Sequence, residues 1–380
     1  MRTSLLCLFS PLLLAACDGV LDLGGGTAHD APGDASADAA GGQPDATTPA
    51  NDAAGGADAG SGDAGTDSGG GSDASGQKDA AGALGKWPDS PTRFCVDPNT
   101  CPATCPIPGQ PGFGQDGSYY PDSTPIYTAS NGTVADAITG LVWQDPVASG
   151  GLLSDAVAYC AGLSLGGMTG WRLPSRLELV TIQDYGRDRA TPVPGFDPTG
   201  SWLSVWSSSP YLPEAQKQWV VGDDGQPFPE PIPAMGDNVR CVHGAPLGPS
   251  IFVVTSADSV RDEQTGLVWQ RNGTQAPVTW FDALAACEAL DLDGASNWRL
   301  PSVKELQTIV DETRTSPAID PSAFPGTSSA PYWSSTPKSA SGYCNYSLTV
   351  DFATGRVAEG FNGSGSKFPP FPTASYRCVH

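Results

Sequence analysis

The chain has 380 residues, with 41 acidic side chains against 19 Lys or Arg, a formal net charge of −22, and ten cysteines. The deficit of basic residues excludes nucleic-acid binding, which depends on clustered Lys and Arg releasing counterions from phosphates. The acidity is spread along the chain: residues 18–90 hold 13 acids and two lysines, and residues 91–380 hold 28 acids and 16 Lys or Arg.

Residues 1–17 read as a removable secretory signal. Arg2 supplies the positive start, and Leu5 to Leu14 form an apolar run too short to span a bilayer as a helix. The run ends in Leu-Ala-Ala-Cys, Leu14 to Cys17. This resembles the bacterial lipobox, which implies cleavage before Cys17, acylation of its thiol and amine, and a lipid anchor in a membrane. Residues 18–90 are almost wholly Asp, Ala, Gly, Ser, Thr and Pro, too poor in apolar surface to offset the entropy of ordering. They read as a disordered tether, about 45–50 Å from end to end and stretched further by its aspartates. No later stretch has 18 consecutive apolar residues. The expected location is the bacterial cell envelope, at the outer membrane with surface or periplasmic exposure. Asp18 after the acylated cysteine is an inner-membrane retention signal in some bacteria, whereas a long tether suits surface display.

A Cys- and Pro-rich lead-in, 91–125, precedes an internal repeat. TGLVWQ occurs at Thr139–Gln144 and Thr265–Gln270, WRLPS from Trp171 and Trp298, WSS from Trp206 and Trp333, and RCVH from Arg240 and Arg377. The spacing between copies is 126–127 residues up to WSS and 137 at RCVH, so copy two carries an insertion between those motifs. Two domains of ordinary size are expected, 126–245 and 251–380.

Within each copy, Asp136 or Asp262 and Gly140 or Gly266 make a turn into a short strand, Leu-Val-Trp. A helix then starts at Ser154 or Thr279, each placed as an N-cap. Its inward face is Val157, Cys160 and Leu163 in copy one, and Phe281, Leu284 and Leu290 in copy two. In WRLPS-x-x-EL, Ser175 with Glu178 and Ser302 with Glu305 have the spacing of a capping box. This predicts a second helix with Leu177, Val180 and Ile182, or Val303, Leu306, Ile309 and Val310, facing inward. Arg172 and Arg299 are expected to pair with a carboxylate or carbonyl. Trp206 and Trp333 precede what reads as a Ser-rich turn. WVVGDDGQ from Trp219 and LTVDFATGRV from Leu348 then read as strand pairs, closed by RCVH.

Setting aside Cys7 in the signal and Cys17, eight cysteines remain in an exported chain, which fits an oxidised framework. Each copy has one helix cysteine and one closing cysteine, so the repeat pairs Cys160 with Cys241 and Cys287 with Cys378. Cys95, Cys101, Cys105 and Cys344 have three pairings open to them. Because Cys344 has no counterpart in copy one, a bridge from the lead-in to the second domain is expected. The Cys-x3-Cys of Cys101 and Cys105 lacks a second ligand pair, so no metal is expected there.

The ordered set of TGLVWQ, a helix with Cys, WRLPS-x-x-EL, WSS and RCV resembles the Lcl C-terminal domain family, named for a collagen-like bacterial adhesin. The resemblance covers two tandem copies, roughly 126–380. It implies an α+β, C-type-lectin-like fold in each: two helices, a small antiparallel sheet, and a disulfide from first helix to last strand. It also implies ligand binding at an envelope surface, sulfated glycans being the partner class of the adhesin. This chain has an acidic body and no Gly-x-y tract, which count against glycosaminoglycan binding and collagen-type trimerisation. It also lacks the Glu-Pro-Asn and Trp-Asn-Asp signatures of calcium-dependent sugar sites.

The expected function is therefore that of a lipid-anchored binding or adhesion protein recognising a glycan or an envelope or extracellular protein, without a cofactor. In such a fold loops carry recognition, which points between WSS and RCVH to Tyr211 and Trp219 in copy one. In copy two it points to Tyr343, Tyr346, Phe361, Phe368, Phe371 and Tyr376. The alternatives are a non-binding structural lipoprotein and an enzyme, since formylglycine-generating oxidases share the superfold. Catalysis is not expected: of the three histidines, His29 lies in the tether, while His243 and His380 follow the closing cysteines.

Overall fold

The computed structural model describes residues 87–89, 94–97, 103–119, 126–186, 193, 195–196, 204–222, 225–232, 237–272, 276–338, 346–361 and 373–380. The signal with Cys17, nearly all of the tether, and Cys101, Tyr343, Cys344, Phe368 and Phe371 lie outside them. No described helix is long and apolar enough to cross a membrane.

Copy one opens with β1 (Tyr127–Ser130), β2 (Thr133–Asp136) and β3 (Val142–Gln144), followed by β4 (Ala148–Gly151) and the helices α1 (Leu153–Gly162) and α2 (Arg176–Thr181). It continues with β5 (Val205–Pro210), β6 (Lys217–Val221), β7 (Pro227–Pro231), β8 (Asp237–Val239) and β9 (Val242–His243). Two sheets result, ordered β1-β2-β3-β9 and β4-β8-β5-β6-β7. Copy two repeats the plan with β10 (Phe252–Val254), β11 (Ser259–Asp262), β12 (Val268–Gln270), α3 (Trp280–Glu288) and α4 (Val303–Thr308). It ends with β13 (Pro331–Pro337), β14 (Tyr346–Asp351) and β15 (Arg356–Phe361), its sheets being β10-β11-β12 and β13-β14-β15. This is the expected α+β class.

The hairpin turns follow from Asp-x-x-Thr-Gly. The Asp136 carboxylate accepts from Ile138 N (2.9 Å) and Thr139 Oγ1 (2.6 Å), and that of Asp262 from Gln264 N (2.9 Å) and Thr265 Oγ1 (2.8 Å). Gly140 and Gly266 then turn the chain at φ 73° and 81°, a region that suits glycine. Asp351, Thr354 and Gly355 build the same turn between β14 and β15.

Both capping boxes form. Ser175 and Ser302 oxygens accept from Glu178 N and Glu305 N, and the glutamates accept from the serine N–H groups at 2.8 Å. The first helices differ. Thr279 caps α3 as expected, but α1 begins one residue before Ser154, and there the Asp155 carboxylate accepts from Leu152 N (3.3 Å).

The serines after Trp206 and Trp333 are not a turn; they lie inside β5 and β13. Their hydroxyls substitute for ladder bonds where each strand bulges: Ser207 Oγ donates to Trp219 O (2.7 Å) and Ser334 Oγ to Leu348 O (2.6 Å).

Cys160 is joined to Cys241 and Cys287 to Cys378, with Cα separations of 5.5 and 5.4 Å. In both copies the closing valine, Val242 or Val379, bridges the tryptophan of TGLVWQ and the arginine of WRLPS. The helix, the WRLPS segment and the chain end are thereby tied at one place.

The lead-in closes on itself through Cys95–Cys105, so the bridge expected to leave it does not start from either of these cysteines. Gln115 clamps Val96, accepting from its N–H and donating to its carbonyl, both at 2.8 Å. At Gly117 a Cβ would meet Phe94 O at 2.5 Å, so only glycine fits. The lead-in packs on copy two: Val96 and Phe94 join the cluster of Trp280, Leu284 and Trp298, and Asp116 accepts from Thr336 Oγ1 (2.9 Å).

Candidate functional site

The polar residues of the repeated motifs are bonded into the frame. Arg172 holds Glu178 by two hydrogen bonds of 2.7 and 2.6 Å, and Arg299 holds Glu305 with the same two distances. One glutamate therefore satisfies both the helix cap and the arginine, and the expected pairing is with a carboxylate. Burial alone would push the Glu305 carboxyl up. The Arg299 charge and the hydrogen bonds from Arg299 and Ser302 outweigh it and hold the carboxyl below its ordinary value. The RCVH arginines act alike. Arg240 donates to Gln144 O (2.9 Å) and Asp145 Oδ1 (3.0 Å) above the Phe196 ring. Arg377 donates to the carbonyls of Gln270 and Arg271 and to Thr327 Oγ1 above Phe324, and burial brings its pKa down to about 10. His243 and His380 pack on Trp171 and Trp298; burial, then the nearby Arg299 charge, lowers His380.

The aromatic candidates scatter. Tyr211 and Trp219 meet edge to face at 4.9 Å, but both are buried, so they do not present an open face. They lie at the seam between the copies, where the Arg176 guanidinium stacks 5.4 Å from the Trp219 ring and a Cβ on Gly355 would touch that ring. Burial raises the Tyr211 hydroxyl pKa, partly countered by Arg356 of copy two. Tyr376 is half-buried against the α3 cluster, where burial raises its pKa, and Tyr346 is half-buried at the start of β14. Phe361 ends β15.

The seam contains residues that sequence reasoning missed. Arg176, buried, donates to Glu312 Oε1 (2.6 Å) and Gln307 Oε1 (3.2 Å). Lys304, buried, donates to Thr181 O (2.9 Å) of copy one and to Asp89 O (3.3 Å), at the end of the segment read as the tether. Burial lowers its pKa to about 8, against the pull of Asp89, Asp184, Asp116 and Asp136. Val180 and Tyr185 complete the seam by joining the core of copy two. A charge at these positions looks like a solvated helix face; only the doubled frame, placing α2 against α4, hides them.

Among the described residues, no group of three or more His, Cys, Asp or Glu is placed to hold a metal ion.

A family model of the Lcl C-terminal domain matches residues 132–243 and again 258–370, together more than half of the chain. The chain belongs to the Lcl C-terminal domain family. The two matches fall within the two structural copies, the second ending before Cys378, and the shared turns, capping boxes and disulfides are what the copies have in common. No curated protein matches the chain.

Proposed function

We propose that this tandem Lcl C-terminal domain protein is a lipid-anchored envelope binding protein, held off its membrane by the tether and recognising a glycan or protein through segments between WSS and RCVH. The observation that carries this reading is the division of labour within the repeat. Asp136, Arg172, Ser175, Glu178 and Arg240, with their copy-two counterparts, are all engaged in holding the frame. Recognition then falls to the region where the copies differ, and the insertion in copy two lies there. Tyr346, half-buried at the border of that region, is the described aromatic best placed to contribute. Two weak sites on one chain gain by effective concentration.

A binding screen of the full chain against glycans and envelope proteins, with and without calcium, tests this. Saturable binding that falls when Tyr346→Ala is introduced is the expected outcome. Absence of saturable binding to every class, or a turnover that survives purification and is lost with one side chain, would overturn it.

A further inference from the structure

The edge strand of copy two is built differently from that of copy one. Ile251 O accepts from Glu263 N and Thr255 N donates to Ser259 O, both at the β10–β11 junction. With the register Val253↔Arg261, residues 251, 253 and 255 turn their backbone toward β11. The N–H and C=O groups of Phe252 and Val254 therefore point away from it, and among the described residues β10 has no neighbour on that side. Exposed edges of this kind are templates for further pairing, and proteins commonly blunt them with charge, proline or a bulge. Neither charge nor proline occurs between Ile251 and Ala257, where the sequence is Ile-Phe-Val-Val-Thr-Ser-Ala, and the one irregularity, Thr255 N and Ser256 N sharing Ser259 O, lies beyond Val254. Ile251, Val253 and Val254 are 65, 46 and 49 % exposed. The equivalent edge in copy one, β1, reads Tyr-Thr-Ala-Ser.

The strand is also held in a fixed shape. Phe252 packs edge to face on Phe324 at 4.9 Å. Ser250 Oγ donates to Thr308 O (3.1 Å) before the strand. Beyond it, Asp258 N and Ser259 N both donate to Ser256 Oγ (2.9 Å), and Asn272 Nδ2 donates to Ala257 O (2.8 Å). Such a preorganised edge loses little conformational freedom on pairing.

We propose that β10 is a self-association edge, pairing antiparallel with β10 of a second copy of this chain about a two-fold axis at Val253. The outward groups fit this register. Phe252 exchanges both backbone hydrogen bonds with the partner subunit's Val254, Val254 does so with the partner subunit's Phe252, and the two Val253 side chains face each other in the close, non-hydrogen-bonded position. Three strands on each side become one six-stranded sheet, and Ile251, Val253 and Thr255 of both copies cover one another. The uncharged strand lets two acidic bodies meet without like charges opposed at the contact. So small an interface associates weakly, and its strength depends on local concentration. The inference stands apart from the proposed ligand, because β10 lies outside both WSS–RCVH segments, 206–243 and 333–380.

Sedimentation velocity of the full chain over a wide concentration range tests it. The expected result is a monomer–dimer equilibrium, stronger at high salt where the acidic bodies repel less. Val253→Lys, which sets two lysines opposite each other, is expected to weaken it by about tenfold or more while leaving the unfolding midpoint near wild type. A second measurement does not depend on that variant: Val253→Cys is expected to form an intermolecular disulfide under mild oxidation much faster than Thr128→Cys at the equivalent place on β1. A chain monomeric throughout, dimers undiminished by Val253→Lys, or equal cross-linking of the two cysteine variants would each overturn the proposal.

Discussion

The two copies share one frame but bury it differently, and the cause is the lead-in. At matched positions on the first helix, Leu284 is fully buried beneath the lead-in, whereas Val157 is 49 % exposed. The side chain of Arg299 is 8 % exposed and lies over Tyr119 of the lead-in, whereas that of Arg172 is 26 % exposed. In the WSS strand, Ser335 is buried and Ser208 exposed. The same local sequence rules thus produce two domains of unequal depth, because a segment outside the repeat serves as a third layer for only one of them.

That inequality can be broken from either side. The largest effect is expected from the disulfides, which close loops of 81 and 91 residues. Replacing either pair by serines should cost about 4 kcal/mol, within the range for native disulfides, as read by denaturant unfolding. Next, Arg299→Ala strands a buried carboxylate and should cost about 3 kcal/mol. Arg172→Ala, which removes a more exposed guanidinium and leaves Glu178 still accepting from Leu247 N (2.9 Å), should cost about half as much. Then Leu284→Ala should lose about 2–3 kcal/mol, and Val157→Ala less than about 0.5. Equal losses at 157 and 284 would mean that the lead-in does not bury copy two in solution. Hydrogen exchange of α1 and α3 would report the same contrast without mutation.

Much of the frame was legible in the sequence because it rests on local chemistry. Ser175, Ser302, Glu178 and Glu305 satisfy helix N-termini within a few residues, and the glycines at 140 and 266 turn the chain where aspartate braces it. The disulfide partners followed from the repeat, since a doubled pattern of one helix cysteine and one closing cysteine selects its own pairing. What escaped depends on surfaces meeting at a distance. Val157 has the spacing of an inward residue but, among the described residues, no layer above it. Tyr211 and Trp219, the latter opening a strand signal, lie between WSS and RCVH and read as recognition aromatics, yet both are buried at the seam with the second copy. Serines in β5 and β13 favour turns by propensity, but a bulge in each strand uses their hydroxyls across the ladder. Ser154 has the chemistry of an N-cap, and Asp155, one residue later, takes the free N–H of Leu152 instead. The family resemblance supplied fold and class; it says nothing of the seam, which is specific to having two copies side by side.

The last prediction concerns that seam and separates its charge from its packing. Lys304 is held between copy one, Asp89 and its own helix, and burial depresses its pKa to about 8 in spite of four nearby aspartates. A lysine whose folded pKa lies below its unfolded value near 10.4 releases its proton first in the folded state. Between about pH 8 and 10 the unfolded chain therefore binds more protons, and this group makes stability rise with pH, not fall. Lys304→Met keeps the length of the side chain and removes the charge, so the variant should lack that increment. The difference between wild type and variant in unfolding free energy should be most unfavourable to wild type at pH 7 and shrink by about 2–3 kcal/mol on going to pH 10. If the two curves stay parallel, the ammonium is well solvated in the folded state and the seam opens at this point. If instead the gap widens with pH, the aspartates dominate, and Lys304 joins the copies as an ion-pair hub and not as a tolerated buried charge.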